Sequence, residues 1–455
     1  MNDASGHSTG CLWDRFTGAN IRCLAARSGQ VAWPMTLIMF FEFLIGLTDV
    51  YVAGRIGKDT QAAYGFVIQL YFIFIVIANA LTVGTVSVVS RLYTSGDRDR
   101  LTGAVFSSLL ATAAAGAVTA LVGIVFTPEL IRLFNIPSQL KPFCIPLIRI
   151  YSAGLLFEYA IINCNGVLRS CGRIKTSLKT MAIVCTLNIG LNFFLVFCTP
   201  LGFRGIALAT ASSALVGALI NLSWMRGVMT GPWVFCKSTV KRILQIGWPM
   251  GALQVLWQFG SIALFLILSE LPKGKIETLA ALTAGLRIES AVYLPAFAFN
   301  MANAVIVGNL LGEKKQEEAF RSGLVTAFIG VSVVTLMAVI VIVNARWIAS
   351  FLSNNPLVVR ESVRYLYIAM ISEPFMAWGA ILGGGLSGAG DTRSVMIRVA
   401  LAIWVIRIPM AYLCVVIFGL GAASVWWSMN ISQFVQAYLL YRRYARRRWL
   451  GVEAG

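Results

Sequence analysis

The stretch "MTLIMFFEFLIGLTDVYVAG", residues 35–54, has the composition of a membrane-spanning helix, because all but two of its side chains are apolar, small or hydroxylic. The two exceptions are Glu42 and Asp49, which lie seven residues apart and therefore on one face of a helix. A carboxylate near the bilayer centre costs about 2.5–3.5 kcal/mol on insertion scales. Two acids in one span therefore indicate a function.

Comparable apolar stretches recur along the whole chain. Its 455 residues are 58% hydrophobic and only 12% charged, whereas soluble domains carry about 25% charged residues. The pattern predicts an all-α membrane protein with twelve transmembrane helices. We place these spans near residues 31–54, 63–90, 102–126, 143–166, 179–198, 205–225, 243–269, 277–308, 322–343, 362–386, 396–418 and 421–441.

The basic residues predict that both termini lie in the cytoplasm. An even number of spans puts the termini on one side. With that side inside, 24 of the 37 Lys and Arg residues fall in inner loops, tails and adjoining helix ends, against 10 on the outer side. The net charge of +18 therefore sets topology and does not indicate nucleic acid. We expect a monomer that contacts the lipid bilayer of a bacterial inner membrane.

Two sequence echoes predict a repeat. "AWPM" at 32–35 returns as "GWPM" at 247–250 (247 − 32 = 215), and "LRSCGRIKTS" at 168–177 aligns with "LSGAGDTRSV" at 386–395 (386 − 168 = 218). Six spans are thus followed by six in the same orientation, a parallel repeat found in transporters. We expect two six-helix lobes flanked and joined by cytoplasmic segments: an N-terminal arm (1–30), an N-lobe (31–226), an inter-lobe loop (227–242), a C-lobe (243–441) and a basic tail (442–455).

Polar side chains in the N-lobe are candidates for ion coupling and substrate binding. A low dielectric favours the neutral form of Asp49, which can then exchange a proton, and its ionised form can hold Na⁺ or an organic cation. Asn188 and Asn192 share one face of span five, and Thr210 adds a hydroxyl in span six. Asn165 ends span four. Carboxamides in membrane helices either join helices or supply carbonyl ligands to a cation.

The C-lobe has charged residues within its spans as well. Arg287, Glu289, Glu373 and Arg407 supply two positive and two negative groups. They form a possible polar network, in which mutual neutralisation and a role in gating or substrate contact are the alternatives. Pro34 is a possible hinge, since a proline marks a helix start when it lies there and kinks the helix when it lies further in.

Several classes of chemistry have no support in the sequence. The nine cysteines are scattered without a Cys-x-x-Cys, and the one histidine is His7 in the polar N-terminal arm, so we expect no metal site and no cofactor. No Walker A motif is present. "GAGD" at 388–391 matches intramembrane aspartyl proteases, but the Tyr-Asp or Phe-Asp that such enzymes also need occurs nowhere in the chain. We therefore do not expect an enzyme.

Six motifs give the chain a resemblance to the multidrug and toxic compound extrusion (MATE) transporters. In chain order they are "WPM" at 33–35, "TDVYVAGRIG" at 48–57, "NGVLRSCGRIKTS" at 165–177, "NIGLNFFLVFCTPLGFRGIALAT" at 188–210, "GLRIESAVYLPAFAF" at 285–299 and "GGGLSGAGDTRSV" at 383–395. The resemblance implies two six-helix lobes and export of organic cations or other amphiphilic compounds by alternating access. It also implies coupling to H⁺ or Na⁺. The alternative is a flippase for lipid-linked compounds or metabolites of the same superfamily.

The resemblance also assigns residues. The acid of span one in the family matches Asp49, and the polar residue two turns earlier matches Glu42. The asparagines that end span four and open the span-five pattern match Asn165 and Asn188, and the span-six hydroxyl matches Thr210.

One position departs from the family pattern. Asn192 stands where the family often has an aspartate, which removes a charge from the expected cation site and favours H⁺ over Na⁺. "RIES" at 287–290 resembles the DNA-damage-inducible branch, which is often proton-coupled.

Overall fold

The computed structural model describes residues 18–133, 136–271, 275–352 and 355–451, which are helical with short connections and contain no strand. The first lobe consists of α1 (Gly18–Ile56), α2 (Lys58–Ser95), α3 (Arg98–Val125), the short α4 (Thr127–Leu133), α5 (Lys141–Ser170), α6 (Ile174–Phe197) and α7 (Arg204–Met225). The second consists of α8 (Lys237–Ser269), α9 (Lys275–Gly312), α10 (Gln316–Val343), the short α11 (Ala345–Leu352), α12 (Pro356–Gly388), α13 (Thr392–Leu401), α14 (Ile408–Tyr412) and α15 (Ala422–Ala445).

The predicted twelve transmembrane helices in two lobes are confirmed. Among the described residues, eleven helical segments are long and apolar enough to cross a membrane, with α13 and α14 counted in one of them. The twelfth, α15, has 24 residues, enough for about 36 Å. Its mean hydropathy is lower because it carries a set of buried polar residues, namely Ser428, Asn430, Ser432, Gln433 and Gln436.

Helix α1 is longer than its predicted span. It begins at Gly18 instead of residue 31, because the sequence before the apolar run is rich in good helix formers such as Ala, Leu and Arg. Residues 18–30 of the predicted arm are therefore helical, and residues 1–17 lie outside the described residues. Pro34 lies inside the helix, where its ring removes one backbone donor. The hydroxyls of Ser28 and Thr326 of α10 are 2.7 Å apart, so the start of α1 contacts the C-lobe.

Span eleven is irregular. Two π-helical segments, Ala402–Arg407 and Leu413–Ile417, flank α14. Pro409 of α14 lacks a backbone N–H and cannot donate a helical hydrogen bond, and the wider π-helical turns lie on both sides of it. Such π turns recur at functional sites, and the first of them ends at a charged residue of the predicted C-lobe network, Arg407.

The two lobes contact each other near the face at which α1 begins and α15 ends. We call this face the terminal side. Here α2 crosses α8 with its backbone in close contact: a Cβ atom on Gly84 would collide with the carbonyl oxygen of Ile243, and one on Gly247 with that of Ala80. Paired small residues of this kind let two membrane helices approach closely. The lobes are therefore closed at the terminal side.

An apolar cleft lies between the lobes further from the terminal side. It has a volume of about 210 Å³ and lies between the first half of α2 and the second half of α8, with Phe66, Leu70 and Ile73 on one wall and Gln258 and Ile262 on the other. We infer that the candidate acids of α1, which do not line this cleft, are reached from the same side of the membrane.

Candidate functional site

Four helices of the N-lobe direct hydrogen-bond donors at one carboxylate. Asp49 is buried on α1, seven residues before the helix ends, which places it about 10 Å from that end. Asn192 Nδ2 donates to Asp49 Oδ1 at 2.8 Å. Thr210 Oγ1 donates to Oδ2 at 3.2 Å, and the hydroxyls of Tyr64 and Tyr151 lie 3.5 Å from the same oxygen. The donors come from α2, α5, α6 and α7.

Two asparagines extend this network. Asn192 Nδ2 also donates to Asn188 Oδ1 at 3.0 Å, and Asn188 Nδ2 donates to Thr210 Oγ1 at 3.2 Å. Both asparagines are fully buried. Asn192 Oδ1 has no partner among the described residues. The amide of Asn192 thus turns its donor toward Asp49 and leaves its acceptor unused.

The arrangement suits a carboxylate that changes its charge. The neutral donors stabilise the negative charge of Asp49, whereas burial disfavours it. Across the described part of the chain, no salt bridge reaches this residue, so no fixed cation holds it permanently ionised. A change in hydration or in the donors therefore alters its affinity for a proton or for a cation.

The tyrosines of this site were not among the residues predicted from the sequence. Tyr151 is 102 positions from Asp49, and no spacing within one helix connects them. Its ring lies 6.4 Å from that of Tyr64 and 5.3 Å from that of Tyr71, measured between centroids. One signal was available. Tyr64 and Tyr151 lie six and ten residues after the starts of α2 and α5, and Asp49 lies seven residues before the end of α1, so the three residues lie at similar depths in the membrane.

Glu42 lies on the same face of α1 as Asp49. Its side chain is exposed. Glu42 is seven residues from Asp49, about 10 Å along the helix, and is not bonded to it. Arg169 of α5 attracts Glu42 electrostatically, and the half-buried Glu158 of the same helix repels it. Neither Glu158 nor Arg169 was among the predicted site residues.

Asn165 lies outside the network of Asp49. Its Oδ1 accepts hydrogen bonds from Ser177 Oγ at 2.7 Å and from Asn221 Nδ2 at 3.0 Å. In this conformation it connects α5, α6 and α7.

The C-lobe contains a second buried carboxylate with two tyrosines. Glu289 of α9 accepts from Tyr365 at 2.6 Å through Oε1 and from Tyr293 at 3.0 Å through Oε2. Glu373 of α12 is fully buried and interacts electrostatically with Glu289. Within the described ranges neither of its oxygens has a hydrogen-bond partner.

Three of the four predicted C-lobe residues come together. Arg407 is buried, interacts electrostatically with Glu289, and donates from Nε to Ser432 Oγ at 2.8 Å. Its guanidinium carbon lies 5.7 Å from the ring centre of Trp257. Arg287 is exposed and makes no ion pair with another described residue, so the structure does not bring it to this cluster.

The two lobes therefore contain similar arrangements of acidic and tyrosine side chains. Each buries a carboxylate, Asp49 or Glu289, against two tyrosine hydroxyls. Each also has an acid on its fourth span, Glu158 or Glu373, and the positions of these acids differ by the offset of the first sequence echo (373 − 158 = 215).

Comparisons with known proteins agree with this architecture. The family profile described as MatE matches twice, at residues 34–194 and 249–413, and the starts of the two matches differ by that same offset (249 − 34 = 215). The chain is 26% identical over 459 residues to the "Probable multidrug resistance protein NorM" of Burkholderia mallei, with 94% of each chain covered. It is 20% identical over 432 residues to the "Uncharacterized transporter YisQ" of Bacillus subtilis, with 92% of this chain and 94% of that one covered.

A solved structure, the Vibrio cholerae MATE transporter VcmN in its bent form, has the same fold, with a TM-score of 0.88 at 19% identity over 94% of this chain and 98% of that chain. None of these matches assigns the chain to the DNA-damage-inducible branch. Because the profile covers most of both lobes and the fold agrees, the chain belongs to the MatE family of membrane transporters.

Proposed function

We propose that the protein is a proton-coupled secondary antiporter that exports organic cations or other amphiphilic compounds by alternating access. The observation that carries this proposal is the buried carboxylate of Asp49, which has four neutral donors and no salt bridge in the described ranges. Such a group can be neutralised by a proton, whereas a permanently paired acid cannot.

The proposed cycle uses competition at one site. With the lobes open toward the cytoplasm, the negative charges of Asp49 and the exposed Glu42 attract a cationic compound. The lobes then reorient to the conformation described here, closed at the terminal side. A proton that enters from the open side neutralises Asp49, lowers the affinity for the cargo and drives its release. Because the acid holds either proton or cargo well but not both, the two movements are coupled.

One feature favours H⁺ over Na⁺ as the coupling ion. Asn192 presents a donor to Asp49, whereas a bound Na⁺ needs oxygen ligands directed at it. The acids Glu42 and Glu158 also favour a cationic cargo over the anionic phosphate of a lipid-linked compound, and the relatives' names do not favour the flippase alternative.

The orientation in the membrane is part of the same proposal. We infer from the distribution of Lys and Arg that the terminal side faces the cytoplasm of a bacterial inner membrane. The structure is then open to the outside, which suits the step in which cargo leaves and the proton enters.

Transport by purified protein in proteoliposomes tests the proposal. Ethidium efflux is measured under an imposed pH gradient without Na⁺ and, in parallel, under a Na⁺ gradient at equal pH. We expect the pH gradient to drive efflux by the wild type and not by Asp49→Asn. Asp59→Asn, which changes an exposed aspartate at the start of α2, is the matched control and should behave as wild type. Undiminished gradient-driven efflux in Asp49→Asn would contradict the mechanism, and efflux driven only by Na⁺ would identify the other ion.

A further inference from the structure

Helix α12 ends at a glycine turn, residues 388–391, that leaves carbonyl groups free. Gly390 has a φ of 85°, in the left-handed region. Its N–H donates to Ser387 O, and the N–H of Asp391 donates to Leu386 O, both at 2.9 Å. This is a Schellman motif, which satisfies two of the last helical carbonyls. The next two carbonyls have no backbone donor among the described residues.

The other lobe supplies the missing donors. From α2, Ser87 Oγ donates to Gly388 O at 3.1 Å and Arg91 Nη2 donates to Ala389 O at 2.5 Å. The guanidinium therefore lies at the C-terminal end of α12, where the helix dipole is negative, and the hydrogen bond is charge-assisted. A cationic side chain of the N-lobe thus donates to a carbonyl group at the C-terminal end of α12 in the C-lobe.

The N-lobe has the same turn at the end of α5. Gly172 has a φ of 70°. Its N–H donates to Arg169 O at 3.2 Å, and the N–H of Arg173 donates to Leu168 O at 2.8 Å. This second Schellman motif leaves the carbonyl of Ser170 free in the same way.

A residue of the C-lobe occupies that free position. The orientation of the Asn309 amide that satisfies its hydrogen bonds places Nδ2 3.2 Å from Ser170 O and 2.9 Å from Ser90 O. Asn309 lies at the end of α9, and its own carbonyl accepts from Thr94 Oγ1 of α2 at 2.7 Å. Gly308 lies so close to Ser90 that a side chain on the glycine would collide with it.

The two contacts are equivalent positions of the repeat. The positions of Arg91 and Asn309 differ by the offset of the second sequence echo, in which both turns lie (309 − 91 = 218). The carbonyls that receive them, Ser170 and Gly388 with its neighbour Ala389, are related by the same offset (388 − 170 = 218). The second span of each lobe thus contacts the turn after the fourth span of the opposite lobe.

We propose that the two glycine turns form the gate on the terminal side, and that Arg91 and Asn309 are the positioning residues that hold it shut. The contacts break when the lobes open toward the terminal side, and the proposal rests on the alternating-access cycle given above. Asp391, at the end of one turn, is held by Arg443 of α15, whose Nε donates to its Oδ2 at 2.7 Å. This ion pair within the C-lobe fixes the turn that receives Arg91.

Distances across the gate test the proposal without transport. Spin labels are attached through a ketone-bearing amino acid at positions 98 and 318, two exposed terminal-side sites on α3 and α10, and the distance distribution is measured in nanodiscs. Arg91→Ala and Asn309→Ala should each raise the long-distance population roughly tenfold, the effect of removing a strong buried hydrogen bond. Arg91→Lys should restore most of the short distances, because its ammonium can donate to the same carbonyl. Arg100→Ala removes an exposed arginine of the same surface and should change nothing.

Unchanged distances in Arg91→Ala and Asn309→Ala would overturn the gate. If Arg91→Ala cannot be purified in a folded state, Asn309→Asp decides the matter, since its carboxylate would face two carbonyl oxygens and must open the gate if the proposal holds. A failure of the antiport proposal is distinguishable: the gate variants would then shift the distances, but wild-type proteoliposomes would show no gradient-driven efflux.

Discussion

Asn192→Asp perturbs the proposed coupling site by the smallest possible change in shape. The substitution replaces the nitrogen that lies 2.8 Å from Asp49 Oδ1 by an oxygen. Two unit charges at that separation repel by about 6 kcal/mol at an effective dielectric constant of about 20. The two carboxylates therefore share one proton, and the pair keeps it up to a higher pH than Asp49 alone does.

The expected result is a displaced pH profile of transport. A free-energy difference of about 6 kcal/mol corresponds to about four pH units as an upper limit. We expect the midpoint of the profile to move to higher pH by two units or more, about half that limit. Ethidium efflux at pH 7 should then fall because the shared proton is not released to the cytoplasmic side. Na⁺ should also begin to support efflux, since the pair offers a cation two carboxylates.

Asn192→Ala provides the control for this experiment. It removes the donor without adding a charge, so Asp49 loses one hydrogen bond to a charged group, about 1.5–3 kcal/mol. The profile should move in the same direction but by only about one to two units. If Asn192→Asp leaves the midpoint where it is in the wild type, Asp49 does not change protonation during the cycle and the proposed mechanism is wrong.

Three further predictions concern other parts of the chain. A hydrogen bond from Ser238 lowers the pKa of the Cys236 thiol to about 7, so its alkylation should rise steeply as the pH passes 7. Ser238→Ala should move that rise to higher pH, as measured by peptide mass spectrometry. Gly247→Val drives a side chain into the carbonyl of Ala80 and should open the terminal side in the spin-label assay, with a cost of about 1–3 kcal/mol to the closed state. Trp449→Ala empties a fully buried site in the C-terminal segment, and the resulting loss of about 3–5 kcal/mol should lower the melting temperature in detergent.

The sequence predicted the spans well because a membrane imposes one strong rule, a long apolar helix for each crossing. The predicted helix boundaries and the structure differ where a helix or part of a helix is not a long apolar segment, so that the rule does not apply. The first turns of α1, from Gly18, mix polar and apolar residues and extend beyond the apolar run. The short helices α4 and α11 have seven and eight residues, too few for an apolar window. Their first positions are nevertheless related by the offset of the second sequence echo (345 − 127 = 218), so the repeat extends to elements that hydropathy cannot detect.

The candidate site was predictable only as far as single-helix spacing and the family resemblance reached. Asn188 and Asn192 share a helix face and do lie together beside Asp49. Tyr151 completes the site through a contact between two helices. The spacing of residues along one helix does not predict such a contact. Arg287 lies only two residues from Glu289 in sequence, but residues two apart on a helix do not share a face, and Arg287 is exposed.

One helix joins the proposed coupling site to the proposed gate. Tyr151, Glu158, Asn165 and Arg169 follow one another along α5 at intervals of seven, seven and four residues, which places all four on one face. Tyr151 lies against Asp49 at the open side, and the turn that follows Arg169 lies at the closed terminal side. The helix between them covers about 18 residues, or about 27 Å.

That length decides how protonation can open the gate. Two unit charges about 27 Å apart interact with about 0.6 kcal/mol at an effective dielectric constant of about 20. This is less than the energy of one hydrogen bond to a charged group, about 1.5–3 kcal/mol. The gate contains several hydrogen bonds, among them those of Arg91, Ser87 and Asn309. Neutralising Asp49 therefore cannot break the gate through space. We therefore expect a mechanical signal, in which the donors around Asp49 rearrange, α5 moves as a rigid body, and the turn at its other end carries Ser170 away from Asn309.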